Sequence, residues 1–325
     1  MKKQEFGKLF DVSRLTLGGG GIGQVWGSTS RDEAIATVRA AHEAGVNLFD
    51  MAPLYGNGEA ETVMGVAFAD GYPEDVRVTT KCMLGNVSAA DIEPRLTTSL
   101  NESLKRLKRD RVDIYILHGY VIPDGWQNSI RPKLLPQIAV EWSTYRDHVV
   151  PIFEKLKNSG RIGAWGVTAA STQETNLQIL EAERCPDVVQ CIANLLDSPG
   201  NMAITSERPD PRTVIREANK RSVGVMGIRA VAAGSLTDKI DREVGQDSPD
   251  QVDFERARPF REIAADIGLA PAVLAHRYAL AMEGVDTVVL GVKNRTELQE
   301  CLAAESAASL DPSLISRIES AIAAD

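Results

Sequence analysis

Long apolar runs and a surplus of basic residues are both missing from this sequence. No apolar stretch approaches the roughly 18 residues that a membrane-spanning helix requires, which argues against a membrane protein. The charged residues 1–5 are not followed by the apolar region of a secretory signal. The formal net charge of −9 argues against a general nucleic-acid binder, because such proteins carry a basic surface.

Cysteine is also scarce. The four cysteines, Cys82, Cys185, Cys191 and Cys301, form no C-x-x-C pair and show no metal-ligand spacing with the four histidines. We therefore predict reduced, mostly buried thiols in a cytoplasmic protein, and we predict no metal site. The sequence leaves the oligomeric state open.

The residues that are present suit a large globular domain. Hydrophobic residues make up 43% of the 325-residue chain and charged residues 25%, which is ordinary for a protein that buries its own core. Short β-branched or apolar runs alternate with longer amphipathic stretches, and eight strands that lead into helices are expected near residues 16, 48, 78, 115, 164, 190, 225 and 288. This count predicts an α/β fold, a (β/α)8 TIM barrel in a single domain over residues 1–325. A doubly wound sheet is the alternative, because it has the same alternation.

Some local signals are specific enough to test. Ser30 with Glu33 predicts a capping box at the start of a helix. Apolar spacing predicts a long helix over Ser88–Lys108 and another over Phe254–Ile267. Residues 119–148 are expected to form a long irregular loop after the fourth strand, and residues 229–252 a lid loop over a cofactor.

Four polar residues fall at the ends of neighbouring strands. Asp50 ends the second strand, Tyr55 follows in a turn, Lys81 ends the third strand and His118 ends the fourth. In a barrel of this kind the active site lies at the carboxyl ends of the strands. Each residue alone has an ordinary structural explanation, but their coincidence at one end predicts a reaction site.

These residues resemble the catalytic tetrad of the aldo-keto reductase superfamily, and the resemblance covers nearly the whole chain. It is carried by Asp50, Tyr55 and Gly56 in N-L-F-D-M-A-P-L-Y-G-N-G-E, by Lys81 in V-T-T-K, and by His118 in D-I-Y-I-L-H. All four tetrad residues are unaltered. The resemblance implies an NAD(P)-dependent oxidoreductase that interconverts a small aldehyde or ketone, possibly a sugar, and its alcohol.

The chemistry of the four side chains agrees with that implication. Reducing a carbonyl requires an acid for the developing alkoxide, and a tyrosine with a pKa of about 10 is weak unless its phenolate is stabilised. A cation within about 4–6 Å lowers such a pKa by roughly 1–3 pH units. We therefore expect Lys81 to lower the pKa of Tyr55, Asp50 to hold Lys81 charged, and His118 to donate to or orient the carbonyl oxygen.

The resemblance also places cofactor contacts. It puts Thr168 where the family has the serine of a Ser-Asn pair, Gln190 at the carboxamide, and Ile228 with Arg229 where the family often stacks an aromatic ring on the nicotinamide. The remaining expected cofactor contacts, near the dinucleotide phosphates and the adenine, are Gly291, Lys293, Arg295 and Glu300.

The choice between the two dinucleotides turns on Glu297. NADP(H) is the family default, and Lys293 and Arg295 suit its 2′-phosphate. Glu297 stands where many NADPH-dependent members have a basic residue, and a carboxylate repels a phosphate, so NAD(H) is the alternative.

The glycine run Gly18–Gly23 formally contains the G-x-G-x-x-G dinucleotide fingerprint. No helix signal follows it directly, so we interpret the run as a loop over the cofactor rather than a Rossmann motif. Trp26 after this run and Trp126 in the 119–148 segment are the expected substrate contacts beside His118, with core packing as the alternative.

Two other functions remain open. A cofactor-binding regulatory or redox-sensing subunit of the same fold would have little turnover, and the intact tetrad argues against it. A phosphate-handling hydrolase or lyase would require metal ligands or paired carboxylates at strand ends, and the sequence offers only Asp50 there.

Overall fold

The computed structural model describes residues 1–323, and it contains twelve strands within that range. They are β1 Lys3–Phe6, β2 Phe10–Ser13, β3 Leu15–Gly18, β4 Leu48–Asp50, β5 Arg77–Cys82, β6 Val112–Leu117, β7 Tyr120–Ile122, β8 Ala139–Glu141, β9 Ile162–Thr168, β10 Val188–Ile192, β11 Gly224–Ile228 and β12 Thr287–Leu290.

Fourteen α-helical segments accompany these strands in the same part of the chain. They are α1 Gly19–Ile22, α2 Arg31–Glu43, α3 Glu59–Ala67, α4 Ala89–Leu107, α5 Leu135–Ile138, α6 Trp142–Thr144, α7 Val150–Asn158, α8 Gln173–Glu181, α9 Pro211–Lys220, α10 Pro249–Arg256, α11 Arg258–Asp266, α12 Pro271–Ala281, α13 Arg295–Ser306 and α14 Pro312–Ala323.

Eight parallel strands close into a barrel in the order β3, β4, β5, β6, β9, β10, β11 and β12. The first and last of them, β3 and β12, pair with Leu15 opposite Val288 and Leu17 opposite Leu290. All eight sequence-predicted strands therefore belong to one closed sheet. The predicted TIM barrel is confirmed, and the doubly wound alternative is wrong.

An antiparallel hairpin of β1 and β2 precedes the barrel and was not predicted. Its residue Phe6 is 1% exposed and belongs to an apolar cluster with inward-facing barrel residues such as Leu48, Ile114 and Met226. The Phe6 ring occupies the space above Gly224, where an added Cβ would come within 2.6 Å of a ring carbon. The hairpin therefore fills the amino-terminal end of the barrel, opposite the strand ends that carry the polar residues.

The helices pack around the barrel through apolar faces set by sequence periodicity. On α4, every third or fourth residue is buried, including Leu96, Leu100, Leu104 and Leu107. The helix ends where Lys108 adopts a left-handed conformation with φ +53°. The predicted long helix is thus confirmed to within a residue at each end. No helix within residues 1–323 is long and apolar enough to cross a membrane.

The segment 119–148 has more structure than its sequence predicted. Strands β7 and β8 pair in parallel, with Tyr120 opposite Ala139 and Ile122 opposite Glu141. Helices α5 and α6 and a π-helical turn at Tyr145–Val149 complete the segment. The expectation of an irregular loop is wrong, because elements of three to five residues are too short to show a period in the sequence.

The region after β11 also differs from expectation. Helix α10 begins at Pro249, inside the predicted lid, and the predicted helix 254–267 is interrupted at Ala257. Pro259 lies in the first turn of α11, where its missing N–H costs nothing. The predicted continuous helix is therefore two helices, and the 229–252 segment consists of a short 3-10 turn, a loop and the start of α10.

Candidate active site

The barrel brings the predicted reaction residues to one end. Asp50 is the last residue of β4, Lys81 is next to last in β5, and His118 directly follows β6. Tyr55 lies in the turn between β4 and α3. Since the three strands are parallel neighbours, their carboxyl ends meet at the same rim.

The Lys81 ammonium group sits at the centre of this cluster with its side chain 0% exposed. Its Nζ donates to Asp50 Oδ2 at 2.9 Å, to the Met51 carbonyl at 3.0 Å and to the Tyr55 hydroxyl at 3.1 Å. An ammonium group has three donors, and all three are used here. The carboxylate and the tyrosine oxygen raise the pKa of Lys81 against the opposing effect of burial, so the lysine stays charged.

Asp50 is held on both of its oxygens. Oδ2 accepts from Lys81, and Oδ1 accepts from the Thr79 hydroxyl at 2.5 Å. Thr79 and Lys81 are two residues apart on β5, so both side chains point to the same side of the strand. The buried carboxylate is therefore fully hydrogen-bonded, as a buried charge requires.

The pKa of Tyr55 reflects burial as well as the expected effect of Lys81. Burial raises the pKa of Tyr55 above its ordinary value, the Lys81 charge lowers it, and the Asp50 charge raises it again. The net direction is upward because the desolvation of the phenolate outweighs the lysine. In this structure Tyr55 is therefore a neutral hydroxyl whose phenolate Lys81 partly stabilises. Lys81 lowers the pKa of Tyr55 as expected, and burial outweighs that contribution.

His118 packs edge-on against the Tyr55 ring, with the ring centroids 5.6 Å apart. Burial and the nearby Lys81 charge lower the pKa of His118 to about 3. The imidazole is therefore neutral at ordinary pH and carries one N–H. Its Nδ1 is buried and has no hydrogen-bond partner within residues 1–323.

A second buried network lies on the outer side of β5. Glu61 on α3, which is 0% exposed, accepts from the Thr80 hydroxyl at 2.5 Å and from Arg106 Nε at 2.6 Å. Thr80 precedes Lys81 in the strand, so this network fixes β5 against α3 and α4. Because Lys81 lies on β5, this network also helps to hold Lys81 in position.

A cavity of about 570 Å³ adjoins His118. It is lined by Pro53, Leu54, Cys82, Met83, Leu84, Gly85, Asn86, Val87, Arg95, Ser99, His118, Pro136 and Gln137. Neither predicted substrate tryptophan is in that lining. Trp26 lies beside Gly20 and Gly291, and Trp126 packs on a small apolar cluster that contains Tyr120.

Two of the predicted cofactor residues lie side by side with unused hydrogen-bonding groups. Thr168 at the end of β9 pairs in register with Gln190 on β10. The Thr168 hydroxyl is buried without a hydrogen-bond partner in residues 1–323, and the Gln190 amide nitrogen has only the Met226 sulfur at 4.0 Å. Free buried groups of this kind suit a carboxamide, so this part of the rim fits a nicotinamide.

The next strand end departs from the prediction. Ile228 ends β11 and is partly exposed, but the Arg229 side chain is 8% exposed and binds Asp250 at 2.8 Å. Asp250 also accepts from Arg242 Nη2 at 2.7 Å and from the Asn201 side chain at 2.6 Å. The Arg229 guanidinium thus connects the end of β11 to the first turn of α10.

The predicted phosphate-binding residues lie around the start of α13. Asn294 caps this helix by accepting from the Glu297 backbone N–H at 2.9 Å. The Lys293 ammonium pairs with Asp241 and with Glu297 at 3.3 Å, and Arg295 pairs with Glu33 at 2.9 Å. Both predicted cations are therefore already paired with carboxylates.

The remaining residues of this region complete the surface. Gly291 lies against Trp26, and Glu300 is exposed on α13. Ser30 caps α2 as predicted by accepting from the Glu33 backbone N–H at 3.1 Å. The Glu33 carboxylate, however, binds Arg295 instead of returning to Ser30, so the predicted capping box is only half formed.

The glycine run is not a Rossmann motif, because the strand that precedes it belongs to the closed barrel. The run is also not a plain loop as predicted: it contains the one-turn helix α1 and lies against the loop after β12. A Cβ on Gly21 would lie 2.0 Å from the Val292 carbonyl oxygen. Glycine is needed there because two backbones touch.

Sequence reasoning missed three contributors to the site. Thr79, Glu61 and Asp250 each hold a predicted residue or its strand in place, yet none stands at a strand end. For Thr79 a signal existed, since it lies two residues before Lys81 on a buried strand. Arg106 lies 45 residues from Glu61 in sequence and Arg229 lies 21 residues from Asp250, and no local pattern indicates these pairs.

Comparison with known proteins agrees with this geometry. Residues 14–323 match the profile described as the Aldo/keto reductase family. L-galactose dehydrogenase of Arabidopsis thaliana is 27% identical over 313 residues, covering 95% of this chain and 90% of the relative. The NADH-specific methylglyoxal reductase of Escherichia coli is 31% identical over 215 residues, 61% of this chain and 60% of the relative. The solved holo form of the aldo-keto reductase AKR11C1 from Bacillus halodurans superimposes with a TM-score of 0.72 at 22% identity, covering 99% of this chain and 96% of that one.

Proposed function

This chain belongs to the aldo/keto reductase family and is an oxidoreductase, and we propose that it interconverts a small hydroxylated aldehyde or ketone and its alcohol with Tyr55 as the acid and base. The observation that carries the proposal is the contact between Lys81 Nζ and the Tyr55 hydroxyl at 3.1 Å. A tyrosine beside a buried, charged lysine has a stabilised phenolate, which a proton-transferring tyrosine requires.

The roles of the four residues follow from their contacts. In the reducing direction, Tyr55 gives its hydroxyl proton to the substrate oxygen as negative charge develops there. Lys81 stabilises the phenolate that remains, and Asp50 keeps Lys81 charged and aimed through their 2.9 Å ion pair. Neutral His118 donates its N–H to the same substrate oxygen.

The rim beside the tetrad suits a nicotinamide dinucleotide, which supplies or accepts the hydride when it is bound. Both side chains are buried; among residues 1–323 the Thr168 hydroxyl has no hydrogen-bond partner and the Gln190 amide nitrogen has only the Met226 sulfur, so both can hold the carboxamide. These two residues would fix which face of the ring points toward Tyr55. Ile228 supplies an apolar contact beside them, in place of the aromatic residue that is frequent in the family.

We further propose that NAD(H) is preferred over NADP(H). Three carboxylates, on Glu33, Asp241 and Glu297, surround the two cations Lys293 and Arg295. A 2′-phosphate would have to displace one of these ion pairs and would still meet net negative charge, whereas a 2′-hydroxyl would not. The similarity to a relative named as NADH-specific supports the same preference.

The substrate class rests on the cavity and on the relatives. The cavity beside His118 combines apolar residues with the exposed amides of Asn86 and Gln137, which suits a short hydroxylated chain. The similarity to L-galactose dehydrogenase over most of both chains supports a sugar or a related hydroxy-aldehyde.

The test is Tyr55→Phe, with Tyr72→Phe as the matched control. Tyr72 donates its hydroxyl to the Leu107 carbonyl at 2.7 Å, away from the strand ends. We expect Tyr55→Phe to bind NADH normally in a fluorescence titration but to lose about 10²–10⁴-fold in kcat, while Tyr72→Phe keeps its turnover. An unchanged kcat in Tyr55→Phe would refute the role of this tyrosine.

The same measurements address the alternative of a cofactor-binding regulatory subunit. Wild-type protein that binds NADH tightly but reduces none of a panel of aldehydes, ketones and sugars would favour that alternative. A ratio of kcat/KM that favours NADPH over NADH by a hundredfold would overturn the proposed cofactor preference.

A further inference from the structure

The cavity beside His118 has an unusual charge for this protein. Among its thirteen lining residues, Arg95 is the one with a full charge at neutral pH, because the His118 imidazole is neutral and no acid is present in the lining. The cavity is therefore a local positive site on a chain whose formal net charge is −9.

Arg95 is available for a ligand. It lies on α4 with an exposed side chain, and the acids nearest to it on that helix already have partners. Glu93 pairs with Lys155, and Asp91 accepts from the Ser88 hydroxyl at 2.5 Å. Within residues 1–323, no carboxylate makes an ion pair with Arg95.

The arginine charge also reaches the inner wall of the cavity. Cys82, the last residue of β5, directly follows Lys81. Burial raises the pKa of the Cys82 thiol, and hydrogen bonds with Ser99 and Tyr115, followed by the Arg95 charge, offset part of that rise. Arg95 on the surface helix α4 and Cys82 at the end of β5 thus line the same cavity.

The lining of the cavity combines two kinds of group. It contains His118 with the apolar side chains of Met83 and Leu84, and it also contains Arg95 with the exposed amides of Asn86 and Gln137. A molecule that carries both a reacting carbonyl, for His118, and an anionic group, for Arg95, matches both kinds. A carboxylate suits Arg95, because a guanidinium binds its two oxygens in parallel.

We propose that this cavity receives the carboxylate of a short carboxylated aldehyde or ketone, and that Arg95 selects for that substrate class. This inference rests on the proposed carbonyl reductase function and deepens it. Arg95 does not touch the reacting atoms, so it determines specificity and has no part in the proton transfer. Its removal changes the use of charged substrates and leaves neutral ones unaffected.

The kinetic test compares succinic semialdehyde with butanal, which has the same four-carbon chain without the carboxylate. Wild-type protein, Arg95→Gln, Arg95→Lys and the control Lys105→Gln are assayed with NADH. Lys105 is exposed on the same helix and pairs with Glu102 at 2.7 Å, so its substitution removes one charge elsewhere.

We expect Arg95→Gln to lower kcat/KM for succinic semialdehyde by about 10- to 100-fold and to change kcat/KM for butanal by less than about twofold. Arg95→Lys recovers part of the loss, and Lys105→Gln shows no loss with either aldehyde.

Equal losses for both aldehydes in Arg95→Gln, or no loss for either, would overturn the inference. So would a preference of the wild type for glyceraldehyde 3-phosphate over succinic semialdehyde, because the site would then select a phosphate.

A binding measurement keeps this inference separate from the proposed function. Glutarate carries carboxylates but no carbonyl to reduce, and its binding to the NAD⁺-loaded protein is measured by calorimetry. We expect Arg95→Gln to weaken glutarate binding at least about tenfold relative to wild type and Lys105→Gln. Equal binding by all three proteins would refute the role of Arg95 even if butanal is turned over normally. Absence of turnover with every carbonyl would refute the proposed function, while the glutarate result would still decide whether Arg95 binds a carboxylate.

Discussion

Thr79 donates its hydroxyl to Asp50 Oδ1 at 2.5 Å, and this is the carboxylate oxygen that Lys81 does not occupy. The two donors therefore fix the carboxylate from both sides, and the carboxylate in turn fixes the ammonium group. A residue outside the tetrad thus sets the position of the pair on which Tyr55 depends.

Replacing Thr79 with valine keeps the side-chain volume but removes the hydroxyl. We expect Thr79→Val to lower the free energy of unfolding by about 1.5–3 kcal/mol, because one oxygen of a buried carboxylate loses its donor. It also lowers kcat more than it raises KM, whereas Thr79→Ser restores most of both. Urea unfolding and steady-state kinetics on the three proteins check this. A serine variant as impaired as the valine variant would contradict a role for the hydrogen bond.

The Asp50–Lys81 ion pair is buried, with side-chain exposures of 3% and 0%. Removing one member leaves the other charge unpaired, so Asp50→Asn and Lys81→Met should each cost about 3–5 kcal/mol of unfolding free energy. The double variant should cost less than the sum of the two, because no unpaired charge remains. A double-mutant cycle by urea unfolding measures the coupling, and additive costs would show that the pair does not interact.

The low pKa of His118 gives the fold an acid-sensitive component. In the unfolded chain the histidine takes up a proton near pH 6.5, while in the folded protein it does so only near pH 3. Stability from this group is therefore complete above about pH 6.5 and falls as the pH decreases toward 3. Between pH 7 and pH 4.5 the unfolding free energy of the wild type should fall because His118 takes up a proton only when the chain unfolds. We expect His118→Gln to lack this contribution, so that its unfolding free energy falls by up to about 2–3 kcal/mol less over the same range.

Exposed His148 provides the control for that experiment, because its substitution by glutamine removes a histidine without removing a buried one. Urea unfolding of the three proteins at both pH values gives the comparison. The idea fails if His118→Gln and His148→Gln have the same acid sensitivity.

The carboxylates around Lys293 and Arg295 predict how the cofactor preference changes. Replacing Asp241 with asparagine and Glu297 with glutamine together frees the Lys293 ammonium from both of its partners. We expect the ratio of kcat/KM for NADPH to that for NADH to rise about 30-fold, since each of the two removed charges contributes about 1 kcal/mol near a surface.

Glu305→Gln, on the same helix as Glu297 but further from its start, is the matched control for charge. It should leave the ratio unchanged. An equal shift in the control would mean that the overall charge of the protein is responsible, and an unchanged ratio in the double variant would place the 2′-phosphate elsewhere.

The barrel was predictable because its strands carry a strong local signal. Strands β6 and β10 are apolar or β-branched, and they lie at the positions predicted near residues 115 and 190. The hairpin strand Lys3–Phe6 reads K-Q-E-F, and three of its four residues are polar. Its position is set by tertiary contacts of hairpin residues such as Phe6 and Val12 with the barrel interior, and such contacts leave no periodic pattern in the sequence.

The reaction end was predictable for a different reason. Strand ends are visible in sequence, and parallel strands bring their ends together without further information. Side-chain direction is not visible in the same way. Arg229 follows a strand end but turns to Asp250, and Trp26 follows the glycine run but lies on Gly291. These orientations depend on partners that the local sequence does not specify.

The barrel closes through strands from the two ends of the chain. Thr16 on β3 and Thr287 on β12 share a hydrogen bond of 2.7 Å across 271 residues of sequence. During synthesis β3 and β11 therefore each have one unpaired edge until β12 has been made, which is nearly nine-tenths of the way along this sequence. Contacts so distant in sequence slow folding, and open strand edges invite pairing with other chains. Before β12 is available, the unpaired edges of β3 and β11 therefore expose this protein to aggregation.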